Sequence, residues 1–330
     1  MASNIVGLQF GAQQLYMAQC SEAGMQAAVV ADLPDGLVKD GRITSLETAT
    51  DAIRQALAEN GVKAKYAALV LPSYNVYTRR VTVPVMTESE LALNLPYEFK
   101  DYLADASEQF TFDYAVMSTI TDEAGAPQEL EILAACVNTE IVTNYAAMLK
   151  RAGLKLSIAT PNVMAYSNLF NRLGEQRKQD YCFLDVDATT SRVYLFPAAK
   201  YEITRHIDFG TENLVAAIAS HFNVEAPMAR QYMDSNFDNC LSIPECTQLY
   251  DKLATEMQRI VSFFGFNYPQ SNLDTIYYGG KGALVEPMIA MLRENVTVAV
   301  EGIGTLVPQA GAINLNQANL CACAAGITMQ

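Results

Sequence analysis

The feature that most constrains the fold is a pattern of three short strands that occurs twice in the chain. The copy that begins at Tyr181 consists of β-branched and aromatic runs of strand length separated by short turns, which predicts an antiparallel meander. A similar meander is predicted at the N-terminus, roughly half a chain earlier. The predicted strands cover residues 4–10, 15–18 and 25–30 in the first copy and 181–186, 191–196 and 201–207 in the second.

The turn after the first strand of each copy consists of small and polar residues. These turns are Gly-Ala-Gln-Gln at residues 11–14 and Asp-Ala-Thr-Thr at residues 187–190. Small polar turns can direct backbone amides towards an anion. Two copies of this arrangement favour an internally duplicated protein, and the alternative is that two meanders, which are common, recur by chance.

Length and composition narrow the class of protein. A chain of 330 residues is too long for one ordinary core and predicts two or more domains, for which 51% apolar residues are sufficient. The net charge of −14 argues against a nucleic-acid partner, whose phosphates require clustered Lys and Arg. We find no secretory signal pattern and no apolar run of about 18 residues, so we expect no membrane span and a cytoplasmic location.

Residues suited to metal or nucleophilic chemistry are sparse. The seven cysteines are scattered, mostly in apolar runs, and Cys321 and Cys323 lack the two-residue spacer of a zinc or redox pair. Only two histidines occur, His206 and His221. We therefore predict neither a metal site made of these residues nor a histidine-based active site.

The middle of the chain predicts a separate small unit. Residues 67–71 form a fully apolar strand, as in the middle of a covered sheet, whereas Pro72 to Val137 contains alternating strands and one helix that opens with a capping box at Thr87 and Glu90. This stretch predicts a compact α+β insertion. The polar stretch from Arg172 to Asp180 is the predicted boundary between the two halves.

The order of these elements, together with a strand that runs into Gly279-Gly280-Lys281-Gly282 and then a helix, resembles the actin-like ATPase superfamily. Within it the chain looks most like the PilM family of type IV pilus assembly proteins, over nearly its whole length. The residues that carry the resemblance are Leu33-Pro34 and residues 40–43, Val81–Leu91, Tyr97–Phe99, Phe112–Val116, Tyr145–Leu154, Glu256–Arg259 with Phe263-Phe264, and Ala324–Ile327.

The resemblance implies an α/β fold of duplicated actin-like (ribonuclease H-like) domains, with mixed sheets flanked by helices and a small α+β insertion. The first domain is expected to cover residues 1–71, continued at 138–179 and at about 311–330. The insertion is expected at 72–137 and the second domain at 180–310. The chain is expected to finish after a strand-like stretch, without the terminal amphipathic helix by which an FtsA-like relative would attach to a membrane.

By the resemblance, two loops hold nucleotide phosphates and the Gly-Gly turn packs on adenosine, because a Cβ there would block the base or ribose. ATP or ADP with Mg²⁺ is the implied cofactor, and no cofactor is the alternative. The candidate nucleotide-binding residues are Gly11, Ala12, Gln13, Gln14, Asp185, Ala188, Thr189, Gly210, Glu256, Arg259, Gly279, Gly280 and Lys281.

The chain departs from the superfamily on the phosphate side of this site. Gln9 stands where a carboxylate orients Mg²⁺, and Tyr16 where a basic residue is usual. Asp187 replaces a glycine and adds a negative charge where phosphate oxygens would lie. Between Ser157 and Asn162 the chain offers no residue suited to act as a base. We therefore predict a degenerate site without hydrolysis and no catalytic residues.

The resemblance also implies a partner. In the PilM family a short N-terminal peptide of PilN, a bitopic inner-membrane protein, docks between the first domain and the insertion. The chain is therefore expected to be a scaffold of a pilus machine, held at the inner face of the cytoplasmic membrane through partners. The alternative function is an active actin-like ATPase or an FtsA-like cell-division protein.

Overall fold

The computed structural model describes residues 4–39, 41–103, 107–171 and 179–329; Asp40 and most of the predicted boundary at 172–180 lie outside them. The strands are β1 Ile5–Phe10, β2 Gln14–Ser21, β3 Gly24–Asp32, β4 Val38–Lys39, β5 Arg42–Ile43, β6 Tyr66–Leu71, β7 Val76–Pro84, β8 Phe110–Thr121, β9 Pro127–Asn138, β10 Lys155–Pro161, β11 Tyr181–Val186, β12 Ser191–Phe196, β13 Ile203–Ile207, β14 Thr275–Gly279 and β15 Ala299–Gly302. The α-helices are α1 Leu46–Glu59, α2 Glu88–Glu98, α3 Lys100–Leu103, α4 Thr139–Arg151, α5 Asn162–Asn171, α6 Thr211–Phe222, α7 Ala226–Ser235, α8 Pro244–Asn267, α9 Glu286–Asn295 and α10 Leu315–Gly326.

Two five-stranded sheets share one plan. Their strand orders are β3-β2-β1-β6-β10 and β13-β12-β11-β14-β15, so the same succession of strands is repeated. In each sheet the first three strands in sequence form an antiparallel meander, and the last two run parallel to the first strand. The predicted duplication and both predicted meanders are therefore confirmed.

Helices cover both faces of these sheets, which explains why strands such as β6 are apolar throughout. In the first sheet, one face packs on α1 and α4 through residues that include Ile53, Tyr145 and Leu149. In the second sheet, the outer face packs on α6, α8 and α9. The inner faces of both sheets meet in one core that also contains α5 and α10.

The insertion has a sheet of its own, ordered β7-β9-β8. Its helix α2 begins at the predicted capping box, in which the Glu90 amide donates to the Thr87 hydroxyl and the Glu90 carboxylate accepts from the Thr87 amide. One face of the sheet packs on α2 and α3. Arg80 on β7 connects the insertion to the second half of the chain, because its guanidinium pairs with Glu131 on β9 (2.7 Å) and with Glu202 next to the second sheet.

The prediction of a strand-like stretch near the C-terminus is wrong, since α10 is a helix. This helix packs on the first sheet, also touches the second sheet and is buried on nearly all sides. A helix buried all round shows no contrast between faces, so its apolar period is hidden in the sequence. Small residues let α10 approach its neighbours: a Cβ on Gly326 would lie 2.1 Å from the Ala165 carbonyl oxygen. The domain boundaries given above stay a prediction.

Candidate functional site

Two equivalent loops of the duplicated sheets face a cavity of about 500 Å³, which we call the cleft. The first loop, residues 11–13, joins β1 to β2, and the second loop, residues 187–190, joins β11 to β12. The same strand–loop–strand unit thus contributes to the cleft from both halves. The predicted binding residues that line the cleft are Gly11, Ala12, Gln13, Ala188 and Thr189.

Hydrogen bonds and packing hold the first loop as a tight turn. The Gly11 amide donates to the Gln14 carbonyl oxygen at 2.8 Å, and the Gln14 side-chain amide donates to Oδ1 of Asp32 at 3.1 Å. The buried ring of Tyr16 supports the turn, because a Cβ on Gly11 would lie 2.9 Å from its Cε2. Gln14 therefore stabilises the turn and is not among the described residues that line the cleft.

The second loop binds the carboxylate of its own residue Asp187. Oδ1 of Asp187 accepts the Ala188 amide at 2.8 Å, and Oδ2 lies 3.6 Å from Nη1 of Arg192. The Asp187 amide donates to the Thr190 carbonyl oxygen at 3.2 Å. The Asp187 carboxylate thus binds the Ala188 amide and lies beside the Arg192 cation, the two groups with which a phosphate would interact.

The N-terminus of α6 is also occupied by the second loop. The amides of Thr211 and Glu212 donate to the carbonyl oxygens of Asp187 and Ala188, at 3.1 and 2.8 Å. A Cβ on Gly210 would lie 2.3 Å from the Ala188 carbonyl oxygen. Gly210 is therefore needed for the close packing of the second loop on α6, and these helix amides are not available to an anion.

Sequence reasoning missed the two arginines that line the cleft. Arg192 lies opposite Asp185 in the β11–β12 register and is largely buried, and Arg230 on α7 pairs with Glu212 at 2.7 Å. The alternation of β12 could have indicated that Arg192 is buried, because this residue falls on the same face as the aromatic residues Tyr194 and Phe196. A charge on such a face needs a partner.

Asp185 is buried at the end of β11, under the second loop. Burial raises the pKa of this carboxyl to about 6, with a further increase from Asp187, while Arg192 and a hydrogen bond from the Tyr166 hydroxyl act in the opposite direction. At neutral pH the carboxylate is therefore ionised in the native protein at a cost in stability.

We expect Asp185→Asn to stabilise the protein by about 1 to 2 kcal/mol at about pH 7.5, since the neutral amide avoids burying a charge and still accepts from Tyr166. The native carboxyl takes up its proton near pH 6, whereas the unfolded one does so near 3.8, so the wild type gains stability as the pH falls through this range. The advantage of Asn should shrink accordingly. Urea unfolding of both proteins at about pH 7.5 and pH 5 tests this, and an equal advantage at both pH values would contradict it.

The Gly-Gly turn packs closely against the protein itself, and its predicted contact with adenosine stays a prediction. Gly280 has a φ of +74°, and a Cβ there would lie 2.5 Å from Oδ1 of Asp185. Gly279 and Gly280 are not among the described residues that line the cleft. Lys281 does reach the first loop, because its Nζ donates to Oε1 of Gln13 at 2.9 Å. This bond joins the two halves of the molecule.

Glu256 and Arg259 lie elsewhere. They line a second cavity of about 500 Å³ between α8 and the end of β13, together with Lys252 and His206, and they pair with each other. Neither is among the described residues that line the cleft. The sequence could not show this, because their place depends on how α8 packs against the second sheet.

A third cavity, of about 440 Å³, lies between the insertion and the first sheet, and we call it the groove. Its walls are mostly apolar, and residues of β8 and β9 form one side while β10 and the start of α5 form the other. The residues of β9 that alternate towards it include Leu133, Ala135 and Val137. On the opposite face of β9, Ile132, Ala134 and Cys136 belong to the core beneath α2 and α3, and Cys136 also lines the groove.

Both long sides of the groove are sheet edges. β8 is the last strand of the insertion sheet and β10 is the last strand of the first sheet. The groove is lined by Thr111, Asp113, Tyr114 and Ala115 of β8 and by residues 157–161 of β10. An edge strand can offer backbone hydrogen bonds to an added extended segment.

The residues of the cleft fit a nucleotide only in part. Its volume suits a small molecule, but Gln9 brings no charge to the position where Mg²⁺ would need a carboxylate. Across the described ranges, no group of three or more His, Cys, Asp and Glu side chains could hold a metal ion. In the same ranges no helix is long and apolar enough to cross a membrane.

Comparisons with known proteins agree with this architecture. The sequence model of a family described as type IV pilus assembly protein PilM matches residues 7–313. The PilM–PilN type IV pilus biogenesis complex contains a similar structure, with a TM-score of 0.81 and 20% identity over 99% of this chain and 98% of that chain. The ethanolamine utilization protein EutJ from Carboxydothermus hydrogenoformans is similar with a TM-score of 0.59 and 13% identity, over 97% of this chain and 88% of that chain. No curated protein matches the sequence.

These likenesses, with the repeated sheets and the insertion, confirm the predicted fold class of duplicated actin-like domains with mixed sheets. They also confirm the predicted family resemblance.

Proposed function

The chain belongs to the PilM family of type IV pilus assembly proteins, and we propose that it is a scaffold that binds the N-terminal peptide of a PilN-like bitopic membrane protein in the groove. The observation that carries this proposal is the groove itself, an apolar cavity with a sheet edge on either side. The name of the structurally similar PilM–PilN complex supports the choice of partner.

The groove suits an extended peptide for two physical reasons. The edges of β8 and β10 can supply hydrogen bonds to a peptide backbone, which gives affinity without dependence on sequence. Apolar residues such as Ala135, Val142 and Met164 can receive alternate side chains of the peptide, which gives selectivity. In this proposal the partner holds the chain at the inner face of the cytoplasmic membrane.

We propose further that the cleft is a degenerate nucleotide site without hydrolysis. The supporting observation is that the Asp187 carboxylate already accepts the hydrogen bond of the Ala188 amide and lies near Arg192. Gln9 supplies no metal-binding carboxylate, and Asn162, the first residue of α5 after β10, presents only a neutral amide to the cleft. If a nucleotide such as ATP or ADP binds with Mg²⁺, it must displace the Asp187 carboxylate.

Calorimetric titration with a synthetic peptide of the partner's N-terminal cytoplasmic residues tests the proposal. We expect one peptide per chain, the same affinity with and without ATP and Mg²⁺, and no release of phosphate above background. Absence of peptide binding would refute the scaffold role. Phosphate release that is lost in Asp185→Ala would instead support an active ATPase.

A further inference from the structure

A fourth cavity, of about 410 Å³, lies where the insertion, the first sheet and the second sheet meet, and we call it the tyrosine pocket. It adjoins the groove, with which it shares Val76 and Pro161, and it adjoins the cleft, with which it shares Arg192, Tyr74 and Asn162. Its volume is that of a small-molecule site. The residues that characterise it are Tyr74, Tyr77, Tyr102, Tyr194, Arg192 and His206.

A row of ionisable side chains crosses the second sheet at this pocket. Asp185 on β11 lies opposite Arg192 on β12, and Arg192 lies opposite His206 on the edge strand β13. Directly opposed residues of antiparallel strands project from the same face and lie close together. The row therefore runs from a buried carboxylate to an exposed imidazole, with the guanidinium between them.

Arg192 has a hydrogen-bond donor that no described residue uses. Its Nε is buried and has no hydrogen-bond partner among the described residues. Its Nη1 lies 3.6 Å from Asp187, which is longer than a good hydrogen bond. A buried N–H group without a partner is costly, and an oxyanion at this position would satisfy it.

His206 supplies a second donor that is suited to an anion. Burial, and then the neighbouring Arg192, lower the pKa of its imidazole, so it is mainly neutral at pH 7 when no anion is near. An anion between the two side chains would favour the protonated form. The other charged groups that line the cavities beside His206 are Asp208, Asp251, Lys252, Glu256 and Arg259.

The rest of the pocket suits a flat apolar body. The rings of Tyr77 and Tyr102 lie 5.4 Å apart at the insertion side, and Tyr102 is 57% exposed, so its ring is accessible to a ligand. Across the pocket, the Tyr201 hydroxyl bonds Thr204 at 3.0 Å. Aromatic walls beside a cation are typical of sites for aromatic anions.

We infer that the tyrosine pocket, which adjoins the cleft and the groove, is a ligand site for a small aromatic molecule that carries an oxyanion. Arg192 and His206 bind the oxyanion, and the tyrosines of the insertion contact the flat part. Because the pocket is bounded by three units of the molecule, a bound ligand would hold the insertion against the second sheet.

The probes are sulfate and phenyl sulfate, whose charges do not change between about pH 6 and 8. The protein is labelled with ¹³C at histidine, which gives two imidazole signals because the chain has two histidines. We expect both probes to shift the His206 signal and leave the His221 signal unchanged, with phenyl sulfate binding more tightly. Affinity should increase as the pH falls through the His206 pKa, since the protonated ring binds the anion.

Matched variants distinguish this pocket from neighbouring cations. Arg192→Gln should lower the affinity for both probes by a factor of about ten or more. Arg230→Gln in the cleft and Arg259→Gln on α8 should not change the affinity for either probe. Tyr102→Ala should weaken the binding of phenyl sulfate but not that of sulfate. Tyr97→Ala changes another exposed tyrosine, which lies outside the pocket, and should leave the binding of both probes unchanged.

The inference fails if neither probe shifts the His206 signal, or if Arg259→Gln or Arg230→Gln abolishes the shift. It also fails if phenyl sulfate binds no more tightly than sulfate. Because Tyr102 is exposed, Tyr102→Ala keeps the question answerable even if Arg192→Gln does not fold.

Discussion

Changing Ala135 to arginine is expected to weaken binding of the partner's N-terminal peptide at least about 100-fold, or about 2.7 kcal/mol. Ala135 is half-buried on β9 and lines the groove opposite Asp113 on β8. An arginine there would fill the space between the two sheet edges that the peptide is proposed to occupy, whether or not its charge pairs with Asp113. Fluorescence anisotropy with a labelled peptide measures the change.

The control is Ala124→Arg, which adds the same side chain to the exposed β8–β9 hairpin of the same unit. We expect this variant to bind like the wild type, and we expect both variants to unfold at similar temperatures. Full binding by the Ala135 variant, or an equal loss in both variants, would show that the peptide does not occupy the groove.

The combined change Gln9→Asp and Asp187→Gly is expected to tighten binding of ATP with Mg²⁺ at least about tenfold, or about 1.4 kcal/mol. Removing Asp187 frees the Ala188 amide and leaves Arg192 available to a phosphate. Asp at position 9 supplies a metal-binding carboxylate at the end of β1. Isothermal titration of the wild type and the double variant measures the gain.

A third variant distinguishes the effect of the Asp187 charge from the effect of its hydrogen bond with the Ala188 amide. Asp187→Asn removes the negative charge, but its side-chain oxygen can still accept from Ala188, so its gain should lie between those of the wild type and Asp187→Gly. If the wild type and the double variant both show no binding, the cleft itself cannot hold a nucleotide. The idea of a degenerate nucleotide site should then be abandoned.

Local sequence patterns were sufficient to predict the strands of both meanders and the duplication. The meanders at residues 4–30 and 181–207 follow from β-branched and aromatic runs whose turns are set by small residues, and these signals are local. The capping box at Thr87 is equally local and is confirmed. By contrast, α10 was mistaken for a strand-like stretch because a helix buried on nearly all sides has no polar face.

The site was less predictable because its properties depend on contacts between distant segments. The resemblance gave Gly279 and Gly280 the role of an adenosine contact, but Gly280 is required by its closeness to Asp185, 95 residues earlier in the chain. The importance of Arg192 depends on its burial between two cavities, and the sequence did not show that burial. Glu256 and Arg259 were named as nucleotide-binding residues by resemblance, and the structure places them on α8 in a cavity other than the cleft.

Photo-crosslinking in cells tests the central claim, that the groove is the docking site, most directly. A photoreactive amino acid is placed at Ser157, an exposed residue of β10 that lines the groove, and, as the control, at Glu294, an exposed residue of α9. We predict that the probe at Ser157 captures a bitopic membrane protein through its N-terminal cytoplasmic residues, and that the probe at Glu294 does not. Capture of that protein through any other segment, or equally from both positions, would contradict the account.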